Sequence, residues 1–446
     1  MDPAGDTIVA SATPPGFGGV GIVRVSGADV PAIARRMLGS LPEPRQATYR
    51  VFRNAAGVAL DAGIALYFPG PASFTGEAVL ELQGHGGPVV LAMLVDAAVE
   101  LGARQARAGE FSERAFLNDK LDLAQAEAIA DLIQSGTAQA ARAALRSLSG
   151  AFSDAVHALV EQLTRLRVHV EAAIDFPDED IDFLADAALL DRVRTCHAAF
   201  RSLLADAGKG RRLRDGYRVV LVGRPNAGKS SLLNRLSGED TAIVTEIAGT
   251  TRDILRETID IDGLLVELVD TAGLREQAGP VEAEGMRRAR DAMANADAVL
   301  WIQDAGDTRA AHLDERIPEG VPVIVVRNKI DLSNEPGGLD PNDDGLIRLS
   351  ALTGDGVDSL RERLRRLAGV GDLGEGAFTA RRRHVEALQR AAAHFEAGRR
   401  ALEVDRAGEL MAEELRLAQA ALGEITGELA ADDLLGRIFG EFCIGK

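Results

Sequence analysis

A glycine-rich segment near the middle of the chain has the residue types and spacing of a phosphate-binding loop. It reads Gly223-Arg-Pro-Asn-Ala-Gly-Lys-Ser230, and it lies between an apolar run at 217–222 and a predicted helix that begins near 231. Its two glycines let backbone N–H groups converge on phosphates, and the helix N-terminus behind them favours anions. Lys229 can then reach the β and γ phosphates, and Ser230 can bind Mg²⁺. The segment therefore predicts a nucleotide site.

Three further motifs, each at the end of a predicted strand, indicate which nucleotide is bound. Asp270 ends the apolar run 264–269, where a carboxylate can hold the magnesium shell, and Gly273 supplies an amide that can sense a γ-phosphate. In Asn328-Lys-Ile-Asp331 the last carboxylate can accept both N–H donors of guanine, a pair that adenine lacks. Ser350-Ala351 fits a loop whose backbone contacts the base oxygen. Together the motifs predict a P-loop GTPase that prefers GTP to ATP.

The composition narrows the class of protein. The chain has 446 residues, of which 46% are hydrophobic and 26% charged, as expected for several soluble globular domains. Two cysteines cannot form a disulfide framework, and no apolar stretch approaches the roughly 18 residues of a membrane span, so we expect a cytoplasmic protein with no membrane partner. The net charge of −18 argues against non-specific nucleic-acid binding, because such binding depends on neutralising phosphates.

Two short basic clusters flank the predicted GTPase. The first consists of Lys209, Arg211, Arg212 and Arg214, and the second is Arg381-Arg-Arg-His384. Either cluster could form a local RNA contact, but short charge runs are more often solvated. We therefore expect both to be solvated residues at domain boundaries.

The segments on either side of the GTPase motifs predict a multidomain fold of the α/β and α+β classes. Up to about residue 118, short β-branched runs alternate with Gly and Pro turns, which is typical of an α+β module. From 119 onward apolar residues recur at helical spacing, and this pattern resumes after the GTPase motifs. The predicted domains are an N-terminal α+β domain at 1–118, an all-helical domain at 119–214 and 371–446, and a Ras-like P-loop GTPase domain inserted at 215–370.

Two other patterns in the sequence resemble functional motifs, and we interpret both as structural. Gly16-Phe-Gly-Gly-Val-Gly21 matches a dinucleotide fingerprint, but the following Ile22-Val-Arg-Val25 predicts a strand, whereas that fingerprint must open a helix. His85 lies in a run of glycines and could be catalytic. A lone histidine in such a loop more often has a turn or hydrogen-bonding role, which we expect here.

Several motifs together resemble one family. They are Gly223 to Ser231, Gly249-Thr-Thr-Arg-Asp253, Asp270-Thr-Ala-Gly-Leu-Arg-Glu276, Ser73-Phe-Thr-Gly-Glu77, Gly109-Glu-Phe-Ser-Glu-Arg-Ala115 and the tail Phe442-Cys-Ile-Gly-Lys446. Over essentially the whole chain they resemble the MnmE (TrmE) family of tRNA-modifying GTPases. The GTPase motifs alone would also admit ribosome-assembly relatives, and the flanking motifs favour MnmE.

The resemblance implies a function, cofactors and partners. It implies a homodimer through an N-terminal folate-binding-like domain, and a heterotetramer with the flavoprotein MnmG, which carries FAD. This assembly would add an aminomethyl or carboxymethylaminomethyl group to the wobble uridine of certain tRNAs. The carbon would come from 5-formyl- or 5,10-methylene-tetrahydrofolate. The implied folate contacts are Arg24, Glu81, Lys120 and Lys446.

The resemblance also implies how GTP is hydrolysed without the usual glutamine. That position holds Leu274, which can neither orient water nor neutralise charge. The implied substitute is a K⁺ ion, whose charge would stabilise the transition state, with Glu282 positioning the water. The implied K⁺ ligands are Asn226, Thr245, Ile247 and Thr250, and the implied Mg²⁺ ligands are Ser230 and Thr251.

The complete set of predicted GTP contacts covers all the nucleotide motifs. It consists of Asn226, Ala227, Gly228, Lys229, Ser230, Ser231, Thr245, Glu246, Ile247, Ala248, Gly249, Thr250, Thr251, Asp270, Thr271, Ala272, Gly273, Asn328, Lys329, Ile330, Asp331, Ser350, Ala351 and Leu352.

The tail and the overall function each leave an alternative. Cys443 stands fourth from the end and so fits a prenylation box in form, but a terminal lysine suits that box poorly. We expect instead an ordered tail that reaches the folate region, with Cys443 a candidate for the modification chemistry. The alternative function is a ribosome-assembly or RNA-binding GTPase switch without one-carbon chemistry.

Overall fold

The computed structural model describes residues 5–175, 187–239, 256–270, 292–307, 317, 320–333, 335–341, 343–369, 376–428, 432–440 and 442–445. The chain divides into two units. The first combines residues 1–130 with 416–446, and the second comprises residues 131–415.

The strands and helices are numbered in chain order. The strands are β1 Ile8–Ser11, β2 Gly18–Ser26, β3 Thr48–Arg53, β4 Ala59–Phe68, β5 Val79–Gly86, β6 Arg104–Gln105, β7 Tyr217–Gly223, β8 Arg256–Ile261, β9 Leu264–Asp270, β10 Ala298–Asp304, β11 Val323–Asn328, β12 Gly338–Asp340 and β13 Asp343–Arg348. The helices are α1 Val30–Leu38, α2 Pro88–Glu100, α3 Glu110–Leu117, α4 Leu123–Ile133, α5 Ala138–Leu148, α6 Ala151–Asp175, α7 Ala187–Asp215, α8 Lys229–Glu239, α9 Val357–Ala368, α10 Arg382–Glu403, α11 Gly408–Thr426 and α12 Asp432–Gly440.

A six-stranded sheet forms the centre of the first unit, in the order β3-β4-β5-β2-β1-β6. Its neighbouring strands are antiparallel except for β1 and β6. Alternate residues of the strands, such as Val23, Val25, Leu80 and Leu82, face a common core with helices α1 and α2. The predicted α+β character of this region is confirmed.

The two glycine patterns of the first unit belong to strands. The segment 16–21 leads into β2 and opens no helix, which confirms that it is not a dinucleotide fingerprint. His85 lies within β5, so its assignment to a loop was wrong, but its hydrogen-bonding role is confirmed. Its Nδ1 lies 2.7 Å from Oδ1 of Asp61, and its backbone N–H donates to Oδ2 at 2.8 Å. Gly84 permits this approach, because a Cβ there would lie 2.2 Å from Oδ2 of Asp61.

A network of ion pairs in the first unit, called here the Arg114 network, consists of Asp6, Glu77, Arg104, Glu110 and Arg114. Arg114 donates to Asp6 at 2.6 Å and to Glu77 at 3.1 Å. Arg104 donates to Glu110 at 2.6 Å and to Asp6 at 2.8 Å. The Arg104 bond is the main cause of the lowered pKa of Asp6. Burial alone would raise the pKa of Glu110, but hydrogen bonds from Arg104 and a backbone N–H outweigh it and lower that pKa.

The C-terminal tail, residues 442–445, packs against the N-terminal part of the same unit. The Gly109 N–H donates to the Cys443 carbonyl at 3.4 Å, and Ala108 forms a β-bridge with Ile444. The side chain of Phe442 is buried. Gly445 lies so close to β1 that a Cβ on it would be 2.0 Å from the Ser11 carbonyl oxygen. The tail is therefore ordered beside β1, which agrees with the expectation for its order.

Helices from both sides of the GTPase motifs pack together in the second unit. Helix α7 contacts α6 and α10, and the rings of Phe200 and Phe395 lie 5.2 Å apart. Ser147, near the end of α5, donates to the Thr379 carbonyl at 3.1 Å. The all-helical part of the predicted fold is confirmed, and the predicted domain boundaries remain predictions. Among the described residues, no helix combines the length and the apolar character that crossing a bilayer would require.

The interpretation of the basic clusters as solvated was wrong for their key members. Arg381 and His384 are buried, with 8% and 2% of their surface exposed. The buried carboxylate of Asp131 accepts from Arg381 at 2.7 Å and from Arg214 at 2.8 Å. Arg214 lies just before the GTPase segment in the sequence and Arg381 just after it, so one carboxylate binds residues at both ends of that segment. The clusters were misread because a charge run does not reveal a partner 250 residues away.

A seven-stranded sheet with the order β12-β13-β11-β10-β7-β9-β8 forms the rest of the second unit. Strands β13, β11, β10, β7 and β9 are parallel, whereas β8 and β12 are antiparallel to their neighbours. In such sheets ligands bind beyond the carboxyl ends of the strands. Each strand predicted before a nucleotide motif is present, so Gly223, Asp270, Asn328 and Ser350 lie at or just beyond strand ends on one edge.

Candidate functional site

The phosphate-binding loop joins β7 to α8, as predicted. Gly228 has a φ of +94° and Asn226 a φ of +66°, so the backbone makes the curl that presents N–H groups to an anion. Gly223 packs against β10, where a Cβ would lie 2.3 Å from the Ile302 carbonyl oxygen. Helix α8 begins at Lys229, which places Ser230 in its first turn. The loop therefore combines a helix N-terminus with a backbone that suits phosphates.

The two charged groups predicted for the phosphate end lie at this loop. The buried Lys229 donates from Nζ to the carbonyls of Gly223 at 2.8 Å and Arg224 at 2.9 Å. Its ammonium is thereby held across the loop. Asp270 ends β9 and is paired in register with Leu221 of β7, so its buried carboxylate lies next to the strand that leads into the loop.

Asn328 connects three of the nucleotide motifs. Its Nδ2 donates to the Ala227 carbonyl at 3.0 Å, and its Oδ1 accepts from the Ala351 N–H at 2.9 Å. The residue is 1% exposed. One buried amide thus fixes the distance between the phosphate loop and the loop predicted to contact the base.

The base end is arranged around Asp331. Ser350 Oγ donates to Asp331 Oδ1 at 2.5 Å, which orients the carboxylate predicted to bind guanine. Lys329 has a φ of +68°, and its Nζ lies 2.7 Å from Asp304 Oδ2. This hydrogen bond is the main cause of the lowered pKa of Asp304. The role of Asp304 in this site could not be predicted from the sequence, because Asp304 ends a strand that carries no nucleotide motif.

A second missed residue is Arg235 on α8. Its Nε donates to the Ala351 carbonyl at 3.1 Å, and its guanidinium also donates to the Leu352 carbonyl. Nothing in the motif pattern marks this position, which lies beyond the glycine-rich loop. The predicted contacts Asn226 to Ser231, Asp270, Asn328 to Asp331 and Ser350 to Leu352 all lie at the carboxyl edge of the sheet.

The remaining predicted nucleotide and metal residues lie outside the described part of the chain. They are Thr245, Glu246, Ile247, Ala248, Gly249, Thr250, Thr251, Thr271, Ala272, Gly273 and Glu282, together with Leu274. Lys446, predicted to contact folate, also lies outside it.

In the first unit the structure brings two of the predicted folate residues together. Arg24 and Glu81 are paired in register on β2 and β5, and Arg24 donates to Glu81 at 2.8 Å. The guanidinium also lies 5.5 Å from the ring centre of Phe74 and 5.8 Å from that of Phe111. Lys120 is exposed in the turn after α3, and Cys443 is exposed in the tail. The pair therefore places a cation and a carboxylate beside the exposed Phe74, with the buried Phe111 behind the guanidinium.

The strand order, the glycine loop and the guanine-type motifs at one sheet edge define a P-loop GTPase. Family models described as "GTP-binding protein TrmE N-terminus" and "MnmE helical domain" match residues 7–120 and 123–443. The chain is 57% identical to the tRNA modification GTPases MnmE of Pectobacterium carotovorum subsp. carotovorum (strain PC1) and Yersinia pseudotuberculosis serotype I (strain IP32953), over 99% of each sequence. The chain belongs to the MnmE family of tRNA modification GTPases.

Among solved structures, the G domain of the T. maritima FeoB iron transporter is 24% identical to this chain. The match covers 34% of this chain and 98% of that one, with a TM-score of 0.25. At that score it adds nothing to the fold assignment.

Proposed function

We propose that this GTPase drives the modification of the wobble uridine of certain tRNAs, by adding an aminomethyl or carboxymethylaminomethyl group to the uracil ring. The observation that supports this most strongly is the 57% identity, over nearly the whole chain, to proteins named tRNA modification GTPases. The nucleotide site and the Arg24–Glu81 pair lie in different units, which supports separate sites for hydrolysis and for the proposed one-carbon chemistry.

The one-carbon site is proposed to hold 5-formyl- or 5,10-methylene-tetrahydrofolate at Arg24 and Glu81. An arginine suits the anionic glutamate tail of a folate, and a carboxylate suits the N–H edge of its pterin. The Phe74 ring, 36% exposed, can stack on a flat heterocycle. Lys120 and Lys446 complete the proposed contacts, and Cys443 is a candidate for the chemistry that follows.

The proposed assembly is a homodimer through the N-terminal domain, which joins the FAD-carrying flavoprotein MnmG as a heterotetramer and binds tRNA in the cytoplasm. In each chain we propose a folate domain at 1–118, a helical domain at 119–214 and 371–446, and a GTPase domain at 215–370. Family membership supports this assembly.

For hydrolysis, Mg²⁺ is proposed at Ser230 and Thr251, and K⁺ at Asn226, Thr245, Ile247 and Thr250, with Glu282 orienting the attacking water. Asn226 supports the K⁺ proposal, because it lies in the phosphate-binding loop with a left-handed backbone and an exposed side chain whose amide oxygen could bind a cation. K⁺ there would neutralise charge that develops on the phosphates, as an arginine does in other GTPases.

We expect GTP turnover to be faster in KCl than in NaCl of equal ionic strength, by an order of magnitude or more. Asn226→Lys should abolish this preference, because its ammonium would occupy the cation position. Arg224→Ala, an exposed neighbour in the same loop, should retain it. Steady-state phosphate release checks the prediction. Equal rates in the two salts, or an unchanged preference in Asn226→Lys, would show that K⁺ has no such role.

The tRNA function is tested in cells that lack the chain. Mass spectrometry of their tRNA should show unmodified wobble uridine, and the intact chain should restore the modification. Arg24→Ala should fail to restore it and should bind 5-formyltetrahydrofolate more weakly in equilibrium dialysis. Arg35→Ala, an exposed arginine of the same unit, should behave as the intact chain does. Normal uridine modification in the deficient cells would instead favour a ribosome-assembly switch.

A further inference from the structure

We propose that Arg235 is a positioning residue for guanine selectivity, through its hold on the Ala351–Leu352 peptide. The residue lies on α8, the helix that begins at the phosphate loop, yet its guanidinium binds two carbonyls of the loop predicted to contact the base. It therefore connects the phosphate end of the site to the base end. This assignment rests on the proposed GTPase function and on the guanine site predicted at Asp331.

The Ala351–Leu352 peptide is oriented by what its neighbours bind. The N–H of Ala351 donates to Asn328 at 2.9 Å, so that donor is engaged. The carbonyl of Ala351 faces Arg235 at 3.1 Å. The peptide is trans, and in a trans peptide the N–H points opposite to the C=O. The Leu352 N–H is thus directed away from Arg235.

That N–H is the available donor of the loop. Within the described part of the chain, the Leu352 N–H makes no hydrogen bond. The Leu352 side chain is 76% exposed, so packing of that side chain does not hold the peptide in place. The orientation of the donor depends instead on the hydrogen bonds of the loop, and Arg235 contributes the bonds to the carbonyls of Ala351 and Leu352, which its planar fork can hold at fixed angles. A donor held in this way can select a base with an oxygen at position 6.

The chemistry separates two contributions to guanine recognition. Asp331 accepts from N1–H and the 2-amino group, whereas the Leu352 N–H donates to O6. The nucleotide 6-thio-GTP keeps the N1–H and the 2-amino group that Asp331 binds but replaces O6 by sulfur, which is a weaker acceptor. ITP lacks only the 2-amino group, so it reports on Asp331.

The test compares the full chain with its Arg235→Ala, Arg235→Lys, Asp331→Asn and Arg366→Ala variants, by steady-state hydrolysis of GTP, 6-thio-GTP and ITP. We expect Arg235→Ala to raise KM for GTP and ITP by about tenfold at unchanged kcat, and to reduce the preference for GTP over 6-thio-GTP by a similar factor. Its preference for GTP over ITP should stay as it is. Arg235→Lys should be intermediate, and the exposed Arg366→Ala should match the intact chain.

The possible results distinguish the role of Arg235 from the assignment of the guanine site. If Arg235→Ala weakened all three nucleotides equally, or raised no KM, Arg235 would have no role in base selectivity, and the proposal would be wrong. If Asp331→Asn left the preference for GTP over ITP unchanged, the guanine site itself would be misassigned, whatever Arg235 does. A changed Asp331→Asn preference with an unchanged 6-thio-GTP preference in Arg235→Ala would overturn the positioning role alone.

Discussion

Gly228→Ala is expected to lower the affinity for GDP and GTP by about 100-fold or more, equivalent to about 2.7 kcal/mol. Gly228 has a φ of +94°, which an alanine adopts only with strain. Its new Cβ would also lie 2.2 Å from Nδ2 of Asn328. Asn328 is buried and uses both ends of its amide, on Ala227 and Ala351, so it cannot retreat without releasing one of the two loops. Both the phosphate end and the base end should therefore be disturbed.

Titration with a fluorescent GDP analogue measures this effect. Gly238→Ala is a matched control, because it makes the same change near the end of α8, the helix that begins directly after Gly228, and a Cβ there would meet no atom within 4 Å. Its affinity should equal that of the intact chain. A Gly228→Ala chain with the affinity of the control would mean that the loop tolerates the methyl group and that Asn328 is not its rigid neighbour.

The GTPase part of the fold was predictable because its motifs follow apolar runs. Strands β7, β9 and β11 end at the motif residues, since a parallel sheet presents its ligand-binding groups at the carboxyl ends of its strands. Each of these strands and the loop that follows it lie in one short stretch of sequence, so the local pattern is enough to predict both. The same reasoning predicted β2, because the run Ile22 to Val25 is β-branched around one arginine.

Contacts that join distant segments were not predictable in the same way. Arg214 and Arg381 donate to Asp131, from which they are separated by 83 and 250 residues in the sequence, and no periodicity connects these positions. Glu110 and Arg114 belong to a family motif, yet their burial and the hydrogen bonds of Arg114 to Asp6 and Glu110 appear only in the structure. Arg235 belongs to this group as well, because its partners are backbone carbonyls. Such carbonyls leave no mark in the sequence.

The largest expected loss of stability follows from Arg114→Met, which removes the cation common to three carboxylates. Asp6, Glu77 and Glu110 all accept from Arg114, whose side chain is 6% exposed. Arg104 still binds Asp6 and Glu110, but Glu77 loses the cation that it binds, so we expect a loss of roughly 3 kcal/mol, the low end for breaking a buried pair on one side. Arg35→Met is the control. Arg35 is exposed on α1 and donates to the Pro31 carbonyl at 3.3 Å, and a surface substitution of this kind changes stability by about 0.5 kcal/mol or less.

Calorimetry of the full chain can assign this loss to one unit. GDP should raise the unfolding temperature of the unit that contains the GTPase and leave that of the other unit unchanged. Arg114→Met should lower the unfolding temperature of the other unit, which GDP does not affect. The pKa values of Asp6 and Glu110 are lowered in the folded chain, so their ionisation stabilises it fully above about pH 5, and this contribution is lost as the pH falls through the folded-state values. The deficit of Arg114→Met should therefore shrink as the pH falls from about 5 through the folded-state values, because protonated carboxylates no longer need the cation. A deficit that stayed constant down to pH 3 would mean that Arg114 stabilises the unit by packing rather than by charge.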